Sequence, residues 1–349
     1  MFTSSFSANA LLAKAKAKYG KALKTSDYAN MLNCHSVSEI AAYLKNNTAY
    51  YDVLNNINVA TINRGHLEML LRRKVFNDYA SLTGFDKTIG FKVTDYLIQR
   101  TIIELIVSCL RSICAGRVGE FFFDFPMYVM AHTGLDFEQL SRCENYDEFL
   151  KAARNTGFFK LLAQYRPKED GRIRLTEIET ALYTKLVQTA YGIISNAHGS
   201  ARRQLKSLFE TRFDAQNVTR ILRLKRFFNA SPESIRKNLL PYGHSIHKKT
   251  IEQMIEAPDA DTVVKIFLST KVGRMIPESQ RIYTHDLHHR APYAAARRLM
   301  HCSIHPTVVL LSYIFLTDIE LDDIINIIEG IRYRLRPDEI KPMLVLANY

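Results

Sequence analysis

The chain has 349 residues, 47% of them hydrophobic, with only 14 glycines and 10 prolines and a formal net charge of +12. That length allows two or three domains, and the scarcity of glycine and proline leaves too little turn chemistry for an all-β or doubly wound fold. No run reaches the roughly 20 apolar residues a spanning helix needs: residues 102–113 are interrupted by Glu104 and Arg111, and residues 308–316 are only nine long and lead into acidic sequence.

The first acidic residue is Asp27, preceded by Lys14, Lys16, Lys18, Lys21 and Lys24. A transit peptide is also acid-poor, but this stretch lacks arginine and continues into the periodic pattern of Tyr28, Met31 and Leu32. It reads as an exposed, basic first helix. Ser36-Val37-Ser38-Glu39 then opens a short apolar helix that ends at Thr48. Asn145-Tyr146-Asp147-Glu148 opens a second, ending at Thr156, and Asp259-Ala260-Asp261-Thr262 a third, ending at Thr270. The cap-to-threonine spacings are 12, 11 and 11. Repetition on this scale means one helical unit copied and packed on itself. Short side-chain oxygens at such positions accept from backbone donors left over at a helix start.

Between and after these openings, periodicity predicts long helices over 61–80, 91–114, 174–195, 200–228 and 306–332. Residues 115–135 are aromatic and turn-rich and read as a connection, and 166–173 as a polar loop. Pro232 opens a short helix that Pro241, Tyr242 and Gly243 close. Pro258, Pro277 and Pro292 punctuate the third unit, Pro292 as a helix break, and Pro337 and Pro342 bracket the last segment. The repeats extend beyond the openings. His66-Leu67-Glu68 aligns with Glu177-Ile178-Glu179 and with Thr284-His285-Asp286. Asp214 and Asn217, above Val218, Ile221 and Leu222, align with Glu320 and Asp323, above Ile324, Ile327 and Ile328. The first copy keeps the apolar positions but has Leu105 where Asn217 and Asp323 stand. Offsets stay between about 106 and 112.

Two polar residues three apart on a core-facing stripe need partners, because an unpaired buried polar group costs about 1–3 kcal/mol. Paired carboxylates can also do acid–base chemistry. A pair varied from copy to copy fits hydrogen bonds that set helix register better than a catalytic dyad. His285, His288, His289, His301 and His305 are the best metal candidates, with helical four-residue spacing in 285/289 and 301/305. Arg290, Arg297 and Arg298 crowd them, so a polar surface is the default. Arg202, Arg203, Lys206, Arg212, Arg220, Arg223, Lys225 and Arg226 form a basic run of the kind nucleic-acid binders and acidic-protein docking faces share. No helix-turn-helix, finger or single-strand module accompanies it. The five cysteines, at 34, 109, 114, 143 and 302, form no CxxC and fit reduced thiols. No glycine-rich phosphate loop, GxSxG or HExxH occurs.

Several matched segments, in order and over almost the whole length, resemble the AC39-like family, the C and d subunits of V-type and A-type rotary ATPases. Residues 28–54, with Ser38-Glu39-Ile40 and the turn Asn46-Asn47-Thr48-Ala49-Tyr50, look like its first repeat. Phe213 to Arg223 resembles its Asp-x-x-Asn helix, Leu239 to Gly243 its Leu-x-Pro-x-Gly turn, and Tyr313 to Ile328 its closing signature. Asp323 departs from the usual asparagine, and Thr317-Asp318 stand where a basic residue and glutamate are common. The resemblance implies an all-α fold of three pseudo-repeated helical-bundle domains, 1–120, 121–232 and 233–349, arranged as a funnel-shaped, pseudo-threefold socket. It implies a non-catalytic central-stalk subunit with no catalytic, cofactor-binding or metal residues and no cofactor. The subunit would lie at the cytoplasmic face of the membrane, in single copy, between the central shaft subunits and the membrane rotor c-ring, coupling them for ATP-linked proton or sodium transport. Contact with an anionic membrane surface is a further expectation, and nucleic acid is not an expected partner. A basic helical nucleic-acid-binding protein is the alternative, and a metal-dependent hydrolase using the histidines a third reading.

Overall fold

The three repeated openings cap their helices as the spacing requires. Ser36 Oγ accepts from the backbone N–H of Glu39 at 3.2 Å, Asn145 Oδ1 from Glu148 at 3.0 Å and Asp259 Oδ1 from Thr262 at 2.7 Å. Each satisfies a donor that has no partner inside its helix. The threonines close the far ends. Thr48, Thr156 and Thr270 donate their hydroxyls to the carbonyls of Leu44, Ala153 and Phe267. The same oxygens accept from the N–H groups of Tyr50, Phe158 and Gly273. Gly273 must be small, since a β-carbon there would lie 2.2 Å from the Phe267 carbonyl oxygen.

The computed structural model describes residues 2–84, 92–116, 133–168, 171–241, 243, 245–281 and 287–348. The fold is all-α, with no strand among the described residues. The first set of helices is α1 (Phe2–Tyr19), α2 (Thr25–Leu32), α3 (Val37–Asn47), α4 (Tyr51–Leu54), α5 (Arg64–Thr83) and α6 (Lys92–Cys114). The second is α7 (Phe137–Arg142), α8 (Tyr146–Ala152), α9 (Phe159–Ala163), α10 (Leu175–Asn196) and α11 (Gly199–Phe228). The third is α12 (Pro232–Lys237), α13 (Lys248–Glu256), α14 (Ala260–Ser269), α15 (Leu287–Cys302), α16 (Pro306–Arg332) and α17 (Pro337–Ile340). Most of the aromatic connection expected over 115–135 falls outside the described residues.

Two boundaries differ from expectation for local reasons. The helix expected from 61 starts at Arg64 because Asn63 Oδ1 accepts from the His66 N–H at 2.9 Å and caps it there. Pro292 does not break a helix: α15 runs through it. Early in the helix the proline forgoes one bond, to the carbonyl of residue 288, and buried Ala291, Tyr293, Ala295 and Ala296 hold the segment helical.

The long helices pair in a repeating way. α6 packs on α10, α11 on α15, and α16 on α5. α10–α11 and α15–α16 are also hairpins, and α1 lies along α16. α16 is buried on nearly every side, Val308 to Leu316 included, which is why that run is apolar all round. Each fully buried leucine or isoleucine there contributes about 1.5–3 kcal/mol. Among the described residues no helix is long and apolar enough to cross a membrane.

Candidate functional site

The polar pairs on α11 and α16 fasten backbone. Asp214 Oδ2 accepts from the Ile246 N–H at 2.8 Å. Asn217 Oδ1 accepts from the Leu240 N–H at 2.8 Å, and its Nδ2 donates to the Leu240 carbonyl at 3.1 Å. Gly243, at φ +120°, lies so close that a β-carbon would strike the Asp214 carboxylate. On α16, Glu320 accepts from the Leu23 N–H at 2.9 Å and from the Tyr50 hydroxyl at 3.0 Å. Asp323 accepts from the N–H groups of Val345, at 2.8 Å, and Leu346, at 2.7 Å. In repeat register, then, Asp214 and Asn217 hold Ile246 and Leu240, while Glu320 and Asp323 hold Leu23 and residues 345–346. Burial pushes Asp214 up to about 7, with the Ile246 N–H opposing. Burial also raises Glu320, against Lys74, the Leu23 N–H and Tyr50. These carboxylates accept from the backbone of turns.

A second constellation lies between the long helices. Arg100, Arg212 and Asp318 occupy equivalent positions on α6, α11 and α16. Arg100 Nη2 donates to Asp318 Oδ1 at 2.7 Å, its Nη1 to Oδ2, and the Tyr79 hydroxyl donates to Oδ1 at 2.6 Å. Burial works against the Arg100 charge, but Asp318 and Glu104 outweigh it and keep the guanidinium protonated. Arg212 lies over the Phe315 ring at 4.4 Å. Past this plug is a cavity of about 310 Å³, walled by Arg72, Glu104, Ser108, Arg111, Tyr183, Arg212, Leu321 and Asp322 among others. Burial, then Asp318, lifts the Asp322 carboxyl toward about 7. Its side chain is 47% exposed, so access to solvent inside the cavity moderates that shift. The wall carries both signs of charge and suits a polar protein surface better than an apolar ligand.

Residues 11–343 match the family profile of the ATP synthase (C/AC39) subunit. The chain belongs to that family. A comparison with curated proteins gives no match. As a C/AC39 chain it is a subunit of a V/A-type ATPase, it associates with other subunits of that complex, and the complex as a whole transports ions.

For a C/AC39 protein the remaining sequence candidates have ordinary partners. His285 lies outside the described residues, as does the side chain of His288. His289 Nε2 is 3.8 Å from Asp322 Oδ2, His301 meets Tyr19 edge-on with ring centroids 5.5 Å apart, and His305 Nε2 is 2.7 Å from Ser200 Oγ. His301 and His305 are not four apart on one helix: α15 ends at Cys302, and His305 is the residue before α16. Among the described residues no group of three His, Cys, Asp or Glu is placed to hold a metal. The basic run is not one face either. Arg220 donates to Thr180 Oγ1 at 2.9 Å and the Asn238 carbonyl at 2.8 Å, and Lys225 donates to the Ala257 carbonyl at 2.6 Å. Arg202 and Arg203 are exposed.

Sequence reasoning missed two sites. The Arg100–Asp318 plug was visible only as an odd Thr317-Asp318 pair, although repeat register would have aligned positions 100, 212 and 318. Arg290 was expected on a polar surface, yet it is fully buried. It donates to Gln280 Oε1 at 3.0 Å and to the carbonyls of Pro342 and Leu344 at 3.1 and 2.9 Å.

Proposed function

We propose that this C/AC39 chain is the non-catalytic central-stalk subunit that couples the shaft of the soluble ATPase head to the membrane rotor ring, for ATP-linked proton or sodium transport. On this reading residues 1–120, 121–232 and 233–349 are three lobes of a funnel-shaped, pseudo-threefold socket. One copy sits on the cytoplasmic face of the ring. The observation that carries the reading is the recurrence of one joint, a long helix of one repeat packed on the next repeat, as in α6 on α10, α11 on α15 and α16 on α5. Such a chain closes on itself around the polar cavity. The cavity holds a few side chains of a shaft tip, with Arg72, Arg111 and Arg212 facing acidic groups and Glu104 and Asp322 facing basic ones. Dense helix packing supplies the stiffness that torque transmission needs.

Co-expression with the shaft subunits and rotor ring of the same ATPase tests this. The expected result is one copy of the chain per solubilised ring, with the shaft bound. Docking through charge also predicts release at high salt. A chain that purifies alone, ignoring both shaft and ring, would sink the proposal.

A further inference from the structure

Three stretches of this chain carry no acidic side chain. No aspartate or glutamate occurs in residues 180–209 or in residues 287–317. The first stretch covers most of α10 and the start of α11, and the second covers α15 and the start of α16. Both stretches therefore bend at the loops of the α10–α11 and α15–α16 hairpins. The two loops lie together. Ser200 Oγ is 2.7 Å from His305 Nε2, and the Ser303 hydroxyl donates to Gln204 Oε1 at 2.8 Å. α1, the third acid-free stretch, is tied to the same hairpin where Tyr19 meets His301. Arg202 and Arg203 on the first turns of α11, and Arg297 and Arg298 on the last turns of α15, are all exposed, and among the described residues none of them forms an ion pair. Lys206 is 55% exposed and reaches Glu210 only at 3.8 Å. At the tip, between the helices, Ile304 is 76% exposed, the most exposed large aliphatic side chain among the described residues.

We infer that this joined loop end is a membrane-facing surface that takes anionic lipid headgroups, with Arg202, Arg203 and Arg298 pairing phosphates and Ile304 entering the acyl boundary. An acid-free patch of exposed arginines around one exposed aliphatic has the composition of an interfacial anchor. Among the described residues the exposed Phe and Tyr side chains Tyr51, Phe227, Phe228 and Tyr333 all lie outside these loops, so a single-strand nucleic-acid surface would have only the exposed imidazoles of His198 and His301 there to stack bases, and His301 already meets Tyr19. The geometry also fits the socket reading, on which this inference rests for its direction. The cavity wall at Leu321 and Asp322 lies in the second half of α16, while the α15–α16 loop precedes its first turn. A shaft entering that cavity leaves the loop end on the opposite, membrane side of the subunit.

Binding of the full chain to vesicles, by co-sedimentation, tests the inference. Phosphatidylcholine vesicles with and without phosphatidylglycerol are compared at low and high salt. We expect binding only with phosphatidylglycerol, and its loss at high salt. Each arginine contributes roughly fivefold in partition, so the triple variant Arg202→Ala, Arg203→Ala, Arg298→Ala should bind about a hundredfold more weakly. Ile304→Ser should weaken binding by a factor that salt does not change. Lys248→Ala with Lys249→Ala, exposed positions on α13, should have no effect. All these side chains are at the surface, so unchanged thermal unfolding is expected. Equal binding to neutral vesicles, wild-type binding by the triple variant, or an equal loss in the α13 variant would overturn the inference. So would indifference to every vesicle, which would point to acidic loops of a protein partner. Co-purification of the triple variant with the shaft is the separate readout, and its retention while vesicle binding is lost supports the assignment.

Discussion

Asp214 is the residue where the demands of packing and of charge conflict most openly. It must accept from the Ile246 N–H, yet burial raises its carboxyl from 3.8 to about 7. Between those values the folded state holds a proton that the unfolded chain has lost, so this group makes stability fall as pH rises through that window. Asp214→Asn keeps an acceptor and removes the titration. Relative to the parent it should gain stability between about pH 5 and about pH 8, by at most about 1.4 kcal/mol for each unit of that window. Urea unfolding at both pH values measures it, and identical pH profiles for the two chains would rule the titration out. Arg290 poses the opposite problem, a buried cation that holds two carbonyls and Gln280 at once. Arg290→Met should cost at least about 2–3 kcal/mol, because it leaves buried acceptors without donors. Faster amide exchange in residues 341–348 than elsewhere would locate the damage, and uniform exchange would contradict it.

At the scale of the element, the caps repeat so closely that their energies should too. Ser36→Ala, Asn145→Ala and Asp259→Ala should each lower stability by about 1 kcal/mol. Gly273→Ala should cost more than any of them, because its β-carbon would run into the Phe267 carbonyl and the backbone of Leu268 rather than a movable side chain. Chemical denaturation of the four variants ranks them, and a Gly273 variant as stable as the cap variants would contradict the packing argument. The caps, the long helices and the polar pairs were legible in the sequence because each depends on neighbours three or four residues away. Their partners were not. Glu320 takes the N–H of Leu23, 297 positions distant, and Arg100 takes Asp318, 218 positions distant. No local spacing announces such contacts. Pro292 misled for a related reason: its local cost is real, and tertiary burial around Tyr293 overrides it.

For the whole molecule, the Arg100–Asp318 pair ties α6 to α16, two helices 218 positions apart at this contact. Removing one member, as in Arg100→Met or Asp318→Leu, leaves a part-buried charge short of its main partner and should cost about 1.5–3 kcal/mol. The double change should cost much less than the sum, since two apolar side chains can pack together. Thermal unfolding of the two singles and the double tests the coupling, and additive losses would mean the pair does not act as a unit. The three joints between long helices are not alike, however. At the joints of α11 and α16, acceptors grip the backbone of the turn beyond. On α6 the same positions carry Ile102 and Leu105, which accept no hydrogen bonds. The contact of α6 with α10 rests instead on apolar packing and on side-chain links, Thr189 to Gln99 and Arg111 to Glu179, so its register is set by side chains that can change rotamer and not by a grip on backbone.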